Sequence, residues 1–134
     1  MITALDSSVL LDVITDSSVH GDSSEQCLRQ ARVEGALIVS ECVLAEIRQA
    51  FSGENFDEFL IDWQLQFVPS SRESAMLAGE HFARYLRRGG RASRVLPDFL
   101  IGSHALLHAD RLLARDRGYL RDYFINLPVW QPQT

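Results

Sequence analysis

Short apolar runs alternate with longer amphipathic stretches along this chain. The runs at residues 2–5, 36–39, 66–68 and 112–114 are brief and flanked by polar or breaking residues, which is typical of buried strands. Residues 128–130 predict a final edge strand. Several short strands must pair with one another to be stable, so the pattern indicates one central sheet.

Helical patterns fill the segments between these runs, and most begin with a polar cap or a proline. Asp22 and Glu25 have the spacing of a capping box, and Gly35 is placed to end the helix that they open. The predicted helices span residues 9–14, 22–34, 41–51, 55–65 and 98–108; a long helix also follows Ser70 or Ser71, and another starts at Asp116. The predicted caps include one of residues 6–8 for the first helix and Ser40 for the third, and Pro97 opens the helix at 98–108.

The alternation of strands and helices predicts an α/β fold. Connections of this kind give a mostly parallel central sheet with helices on both faces, a three-layer α/β/α sandwich. The 134 residues are enough for one domain and too few for two, so we expect a single domain over residues 1–134.

The charged residues limit the kinds of functional site that the chain can form. The net charge is −5, all 13 basic residues are Arg, and the absence of Lys excludes a P-loop lysine or a Schiff-base lysine. A local group of arginines suggests a sited anionic partner, although a solvated helix face explains the same run equally well. This group consists of Arg84, Arg87, Arg88, Arg91 and Arg94.

The two cysteines and the first residues bear on the compartment. Cys27 and Cys42 are the only cysteines, and no basic, apolar leader precedes Asp6. No apolar stretch approaches the length of a membrane span. We therefore expect reduced thiols, a cytoplasmic protein and no membrane partner.

Four acids occupy positions where sites form in open α/β sheets. Asp6 follows the first predicted strand, and Asp116 follows the fourth. Asp98 lies in the first turn of its predicted helix, and Glu46 lies in mid-helix beside an apolar stripe, where it should lean toward the core. Ligands in such sheets bind outside the carboxyl ends of the strands, so we expect these acids to meet there.

Each acid also has an ordinary structural interpretation. Asp6 and Asp116 are good helix N-caps, worth about 1 kcal/mol each. Asp98 suits the positive end of a helix dipole, and Glu46 has Arg48 as an available ion-pair partner.

Together the four acids favour a metal site. Carboxylates held side by side resist ionisation unless a cation neutralises them, and Mg²⁺ prefers oxygen ligands. Setting these four aside leaves 14 acids against 13 Arg, so much of the net negative charge would belong to such a site.

Four segments of the chain resemble those of PIN-domain proteins. The resemblance is strongest to the VapC-type toxin ribonucleases of toxin–antitoxin pairs. The order and spacing of the four segments span nearly the whole chain: residues 5–12 (LDSSVLLD), 39–47 (VSECVLAEI), 97–105 (PDFLIGSHA) and 112–119 (LLARDRGY). One departure is Ala114, where many relatives have Thr or Ser. A hydroxyl that would help to orient water at a second metal ion is therefore missing.

The resemblance implies a function and its residues. Asp6, Glu46, Asp98 and Asp116 would be the metal-binding catalytic acids, with Mg²⁺ as the cofactor and Mn²⁺ as its alternative. Ser7 would be the hydroxyl beside the first acid. The implied reaction is hydrolysis of RNA that leaves a 5′-phosphate and a 3′-hydroxyl, and the implied partners are a cognate antitoxin and a second copy in a homodimer.

Other interpretations remain open at this stage. The chain could be a catalytically weak PIN-like module that binds RNA or protein, with Phe51, Phe56, Phe59 and Trp63 as a docking surface or as core. A phosphatase would need an acid-x-acid nucleophile motif, and serines follow Asp6 instead. His104 and His108 have metal-ligand spacing, but a surface or core pair is the better interpretation because the zinc-protease glutamate is missing.

Overall fold

The buried apolar runs form parallel strands in the computed structural model of the chain, which describes residues 1–52, 55–91, 95–115 and 118–133. Within those residues, the strands are β1 Ile2–Leu5, β2 Ala36–Val39, β3 Leu65–Phe67, β4 Arg111–Leu113 and β5 Val129–Trp130. They form one sheet in the order β3-β2-β1-β4-β5, and every neighbouring pair is parallel.

Helices separate the strands along the chain. Over the same described residues they are α1 Ser7–Ile14, α2 Gly21–Glu34, α3 Glu41–Arg48, α4 Asn55–Asp62, α5 Arg72–Arg87, α6 Leu96–His108 and α7 Tyr119–Tyr123. In this described part of the chain, none of the helices combines the length and apolarity that a membrane crossing requires.

The strand order fixes which face each helix covers. The chain steps from β1 to β2 to β3 in one direction, then returns to β4 and β5 on the other side of β1. Because crossovers between parallel strands are right-handed, α1 to α4 cover one face and α5 to α7 the other. This confirms the predicted α/β sandwich, and it places the topological switch point between β1 and β4.

Both helical layers bury apolar side chains against the sheet. On one side Val9 and Leu10 of α1 are fully buried. On the other, Phe99 of α6 is fully buried, with its ring centroid 6.0 Å from Phe82 and 5.7 Å from Tyr85 of α5. This packing holds the first turns of α1 and α6 at the same edge of the sheet as the strand ends.

Two glycines permit close approaches that a side chain would block. A Cβ on Gly35, which ends α2, would lie 1.8 Å from the carbonyl oxygen of Met1. A Cβ on Gly102 would lie 2.6 Å from a ring carbon of Phe124, just beyond α7. The second approach lets α7 pack tightly on α6.

Most predicted helix starts are confirmed. Asp6 caps α1, Ser40 caps α3, and Ser71 rather than Ser70 caps α5. Pro97 lies in the first turn of α6 as expected. The predicted capping box of α2 is wrong: the N-cap residue is His20, with no side-chain capping bond.

The observed ends of two helices differ from the predicted ends by a few residues. α3 ends at Arg48 rather than Phe51, because the chain tightens into a turn there. α4 ends at Asp62 rather than residue 65, since Gln64 adopts a left-handed conformation with φ 55° and turns the chain into β3. The predicted helix start at Asp116 lies outside the described residues.

Candidate metal centre

Asp6 is held at the switch point by its backbone and its side chain. Its N–H donates to the carbonyl of Leu113 at 3.0 Å, which continues the pairing of β1 with β4 past the end of β1. Its Oδ2 accepts from the backbone N–H of Ser8 at 3.3 Å and from the Ser8 hydroxyl. The carboxylate is therefore fixed at the carboxyl edge of the sheet.

Glu46 and Asp98 reach this edge from two other helices. Glu46 lies in the second half of α3, the helix that Ser40 starts directly after β2. Asp98 lies half-buried in the first turn of α6. The expectation that Glu46 leans toward the core is wrong, because it is exposed while its neighbour Ile47 fills the core position.

One cleft of about 390 Å³ joins these acids. It opens at the carboxyl edge of the sheet, and its wall combines carboxylates, hydroxyls and a few apolar side chains. The lining residues are Asp6, Ser7, Ser8, Leu11, Glu46, Pro97, Asp98 and Ile101. Three of the four predicted acids and the predicted Ser7 therefore face a common space.

The fourth acid, Asp116, lies outside the described residues. The residue before it is described: the backbone N–H of Arg115 donates to the Ser8 hydroxyl at 3.4 Å. That hydroxyl donates in turn to Asp6. Through Ser8, the backbone of Arg115 is therefore hydrogen-bonded to the Asp6 carboxylate.

The donor set of the cleft is chemically suited to a hard divalent cation. Every polar side chain that lines it offers oxygen, and Mg²⁺ and Mn²⁺ favour such ligands. Among the residues described, however, no three acidic, His or Cys side chains converge closely enough to form a ready-made metal site.

Ser8 is the residue that the sequence prediction missed. The sequence pattern indicates only a helix cap at Ser8, yet its hydroxyl donates to Asp6 and accepts from the backbone N–H of Arg115. The sequence does contain a hint of this role, because two serines follow Asp6 and the hydroxyl position next to the acid needs only one of them.

The predicted arginine group has two kinds of member. Arg87, Arg88 and Arg91 are exposed, and Arg84 is partly buried. The guanidinium groups of Arg84 and Arg88 lie over the Tyr123 ring at 5.5 and 5.4 Å from its centroid. Arg94 lies outside the described residues. Arg87 and Arg91 are thus open to a partner, whereas Arg84 and Arg88 also fasten α5 to α7.

The histidine pair is engaged within the fold. His104 is 1% exposed, and its Nε2 donates to the carbonyl of Val68 at 2.7 Å. The Nε2 of His108 lies 3.2 Å from the hydroxyl of Ser71. These contacts give the pair a structural role between α6 and the start of α5.

The thiols are poor candidates for nucleophiles. Burial raises the pKa of Cys42, and the charges of Glu41 and Glu46 raise it further. Burial also raises the pKa of Cys27, against a lowering by Arg111. Both are free cysteines, and both remain protonated at neutral pH.

Solved structures with this fold are numerous, although their sequences are distant. VapBC2 from Rickettsia felis, bound to a DNA fragment from its promoter, has a TM-score of 0.76 and 22% identity over 99% of this chain and 100% of that chain. A toxin–antitoxin complex from Klebsiella pneumoniae has a TM-score of 0.68 and 18% identity over 98% of both chains. VapBC-1 from nontypeable Haemophilus influenzae has a TM-score of 0.65 and 17% identity, also over 98% of both chains.

At such identities the likeness establishes the fold alone, and no curated protein sequence matches the chain. The sequence itself carries the family assignment. Residues 3–124 match the model of the PIN domain, which is most of the chain. The chain therefore belongs to the PIN-domain family.

Proposed function

We propose that this chain is a Mg²⁺-dependent endoribonuclease and the toxin of a type II toxin–antitoxin pair. The observation that carries the proposal is the single cleft shared by Asp6, Glu46 and Asp98 at the topological switch point. Membership of the PIN-domain family and the toxin–antitoxin complexes among its structural neighbours support it.

In this proposal the four acids, including Asp116, hold Mg²⁺, for which Mn²⁺ can substitute. When bound, the cation supplies charge that makes a water molecule easier to deprotonate and that stabilises the transition state of phosphodiester hydrolysis. Ser8 keeps the Asp6 carboxylate oriented, and Ser7 offers a hydroxyl in the same wall. The apolar part of the wall consists of Leu11, Pro97 and Ile101.

The test is cleavage of a labelled RNA by the purified chain with Mg²⁺ and with a chelator. We expect cleavage only with the cation, and products that end in a 5′-phosphate and a 3′-hydroxyl. Asp6→Asn keeps the shape of the side chain but removes its charge. We expect activity to fall by at least about 100-fold, because mutation of a residue that only orients a metal ligand already lowers activity by up to about that factor.

The matched control is Asp57→Asn on α4, an exposed acid in the first turn of a helix that lines no part of the cleft. It should cleave like the unmodified chain. Cleavage that survives Asp6→Asn would refute the site assignment. RNA binding without cleavage would favour the alternative, a catalytically weak PIN-like binding module, and turnover of a phosphomonoester alone would favour a phosphatase.

The proposed substrate contacts are the arginines at the end of α5 and in the segment that follows it, Arg84, Arg87, Arg88, Arg91 and Arg94. This segment leads directly into the first turn of α6, which carries Asp98. An RNA backbone that follows these cations would therefore be guided toward the acids.

We also propose a cognate antitoxin, a homodimer and a cytoplasmic location, where Cys27 and Cys42 stay reduced. An open groove of about 500 Å³ is lined by Phe51, Phe59 and Trp63 together with charged side chains. This combination of aromatic and charged groups suits the binding of a protein partner. A short reading frame next to this one, whose product copurifies with the chain and inhibits RNA cleavage, is the expected finding.

A further inference from the structure

A network of hydrogen bonds surrounds the side chain of Arg115, the residue directly before Asp116. Its Nε donates to Oδ2 of Asp12 at 3.0 Å, and one terminal nitrogen contacts the same oxygen. That terminal nitrogen also donates to the hydroxyl of Ser24 at 3.0 Å, and the other lies 2.8 Å from Nδ1 of His20. The guanidinium therefore joins the segment after β4 to α1 and to the start of α2.

The network is largely enclosed and internally consistent. The side chains of Arg115 and Asp12 are 23% and 15% exposed, and Ser24 is fully buried. The Ser24 hydroxyl donates to Oδ2 of Asp12 at 2.7 Å while it accepts from Arg115. Because a guanidinium only donates, Nδ1 of His20 must accept, which leaves the proton of a neutral ring on Nε2.

The backbone of the same residue makes a second connection. The N–H of Arg115 donates to the Ser8 hydroxyl, and that hydroxyl donates to the Asp6 carboxylate. Asp6 and Asp12 are both fixed to α1, one as its N-cap and one within it. Arg115 is thus held at two points on α1, at Ser8 and at Asp12, next to the acid that caps this helix.

We propose that Arg115 is a positioning residue that, held by Asp12, His20 and Ser24, keeps Ser8 and the Asp6 carboxylate in place and thereby sets the affinity of the cleft for the divalent cation. This inference rests on the proposed function. A merely structural tie between β4 and α1 would stabilise the fold but would leave cation affinity unchanged once the chain is folded.

Arg111 provides a matched control on the same strand. Its side chain is 17% exposed, it pairs with Glu34 at 2.8 Å, and its Nε donates to the Thr3 hydroxyl at 3.0 Å. It lies at the opposite end of β4 from the cleft. Lys at either position keeps the charge and loses the planar fork of donors.

The experiment measures the melting temperature and the Mn²⁺ affinity by calorimetry for the full chain and for Arg115→Lys, Asp12→Asn and Arg111→Lys. We expect Arg115→Lys and Asp12→Asn to bind Mn²⁺ about tenfold more weakly, as when other groups that orient ligands are lost. Arg111→Lys should lose comparable thermal stability and bind Mn²⁺ like the unmodified chain. His20→Ala, which removes one acceptor and leaves the ion pair, replaces any variant that does not fold.

Two contrary outcomes are distinguishable. Unchanged Mn²⁺ affinity in the folded variants at positions 115, 12 and 20 would overturn the positioning role while leaving the proposed function intact. No Mn²⁺ binding by the unmodified chain would overturn the proposed function, and this inference with it.

Discussion

At the scale of single residues, His104 shows how the fold keeps a titratable ring neutral. Burial lowers its pKa below the usual 6.5, as does the nearby His108, while the hydrogen bond to Val68 and the charge of Glu41 act in the opposite direction. The sequence predicted that this histidine is not a metal ligand. It could not reveal the acceptor, because Val68 is brought to α6 by the β2–β3 pairing and by the loop that follows β3.

We predict that stability declines on mild acidification because of this ring. The unfolded chain takes up the proton near pH 6.5 and the folded chain only at lower pH, so the free energy of unfolding falls as the pH drops below that value. Urea unfolding at about pH 7.5 and about pH 5.5 measures the loss, which His104→Gln should reduce. His81, whose pKa burial and Arg84 also lower, contributes separately, so His81→Gln is the companion variant. An NMR titration that places the His104 pKa above 6.5 would contradict the prediction.

At the scale of elements, the sequence predicted where strands and helices form better than where they end. Buried runs such as residues 36–39 define a strand through their own apolarity. The ends of α3 and α4 depend on events that no local pattern contains: the ring of Phe51 meets Phe56 and Phe59 at 5.3 and 5.2 Å, and Gln64 turns left-handed. Similarly, the capping box expected at the start of α2 is absent, and the Ser24 hydroxyl in the first turn of that helix donates to Asp12.

The start of α5 supplies an element-scale prediction from two adjacent serines. The Ser71 side chain accepts from the N–H of Ser74, whose hydroxyl accepts from the N–H of Ser71. The Ser70 hydroxyl is buried and, among the described residues, has no hydrogen-bond partner. We expect Ser71→Ala to lower the free energy of unfolding by about 1 kcal/mol. Ser70→Ala should change it by less than about 0.5 kcal/mol or raise it, and equal losses from chemical denaturation of the two variants would refute this assignment.

At the scale of the whole molecule, the sheet topology brings together acids that are far apart in sequence. The sequence predicted this meeting from acids placed after predicted strands and in the first turn of a helix, and from the resemblance to PIN-domain proteins. The cleft joins three of these acids, Asp6, Glu46 and Asp98. The sequence could not predict how closely they approach. That distance depends on how α3 and α6 pack against each other, and on the balance between carboxylate repulsion and a bound cation.

The division within the arginine group leads to a further prediction. Arg87→Gln and Arg91→Gln should each reduce the slope of log affinity against log salt for single-stranded RNA by about 0.7, with unchanged stability. Arg84→Gln and Arg88→Gln should also cost stability, about 0.5–1 kcal/mol each, because their guanidinium groups lie over Tyr123. Binding is measured by fluorescence anisotropy in the Asp6→Asn background, which prevents cleavage. Arg72→Gln, an exposed arginine at the other end of α5, is the control, and an equal effect there would indicate diffuse attraction instead.

The proposed metal site is tested by the anomalous scattering of Mn²⁺ in crystals of this chain. We expect a peak in the cleft bounded by Asp6, Glu46 and Asp98, within ligand distance of Asp116, and its disappearance in Asp6→Asn. A cleft without a peak at saturating Mn²⁺, or a peak that stays elsewhere on the molecule in both chains, would contradict the proposed site.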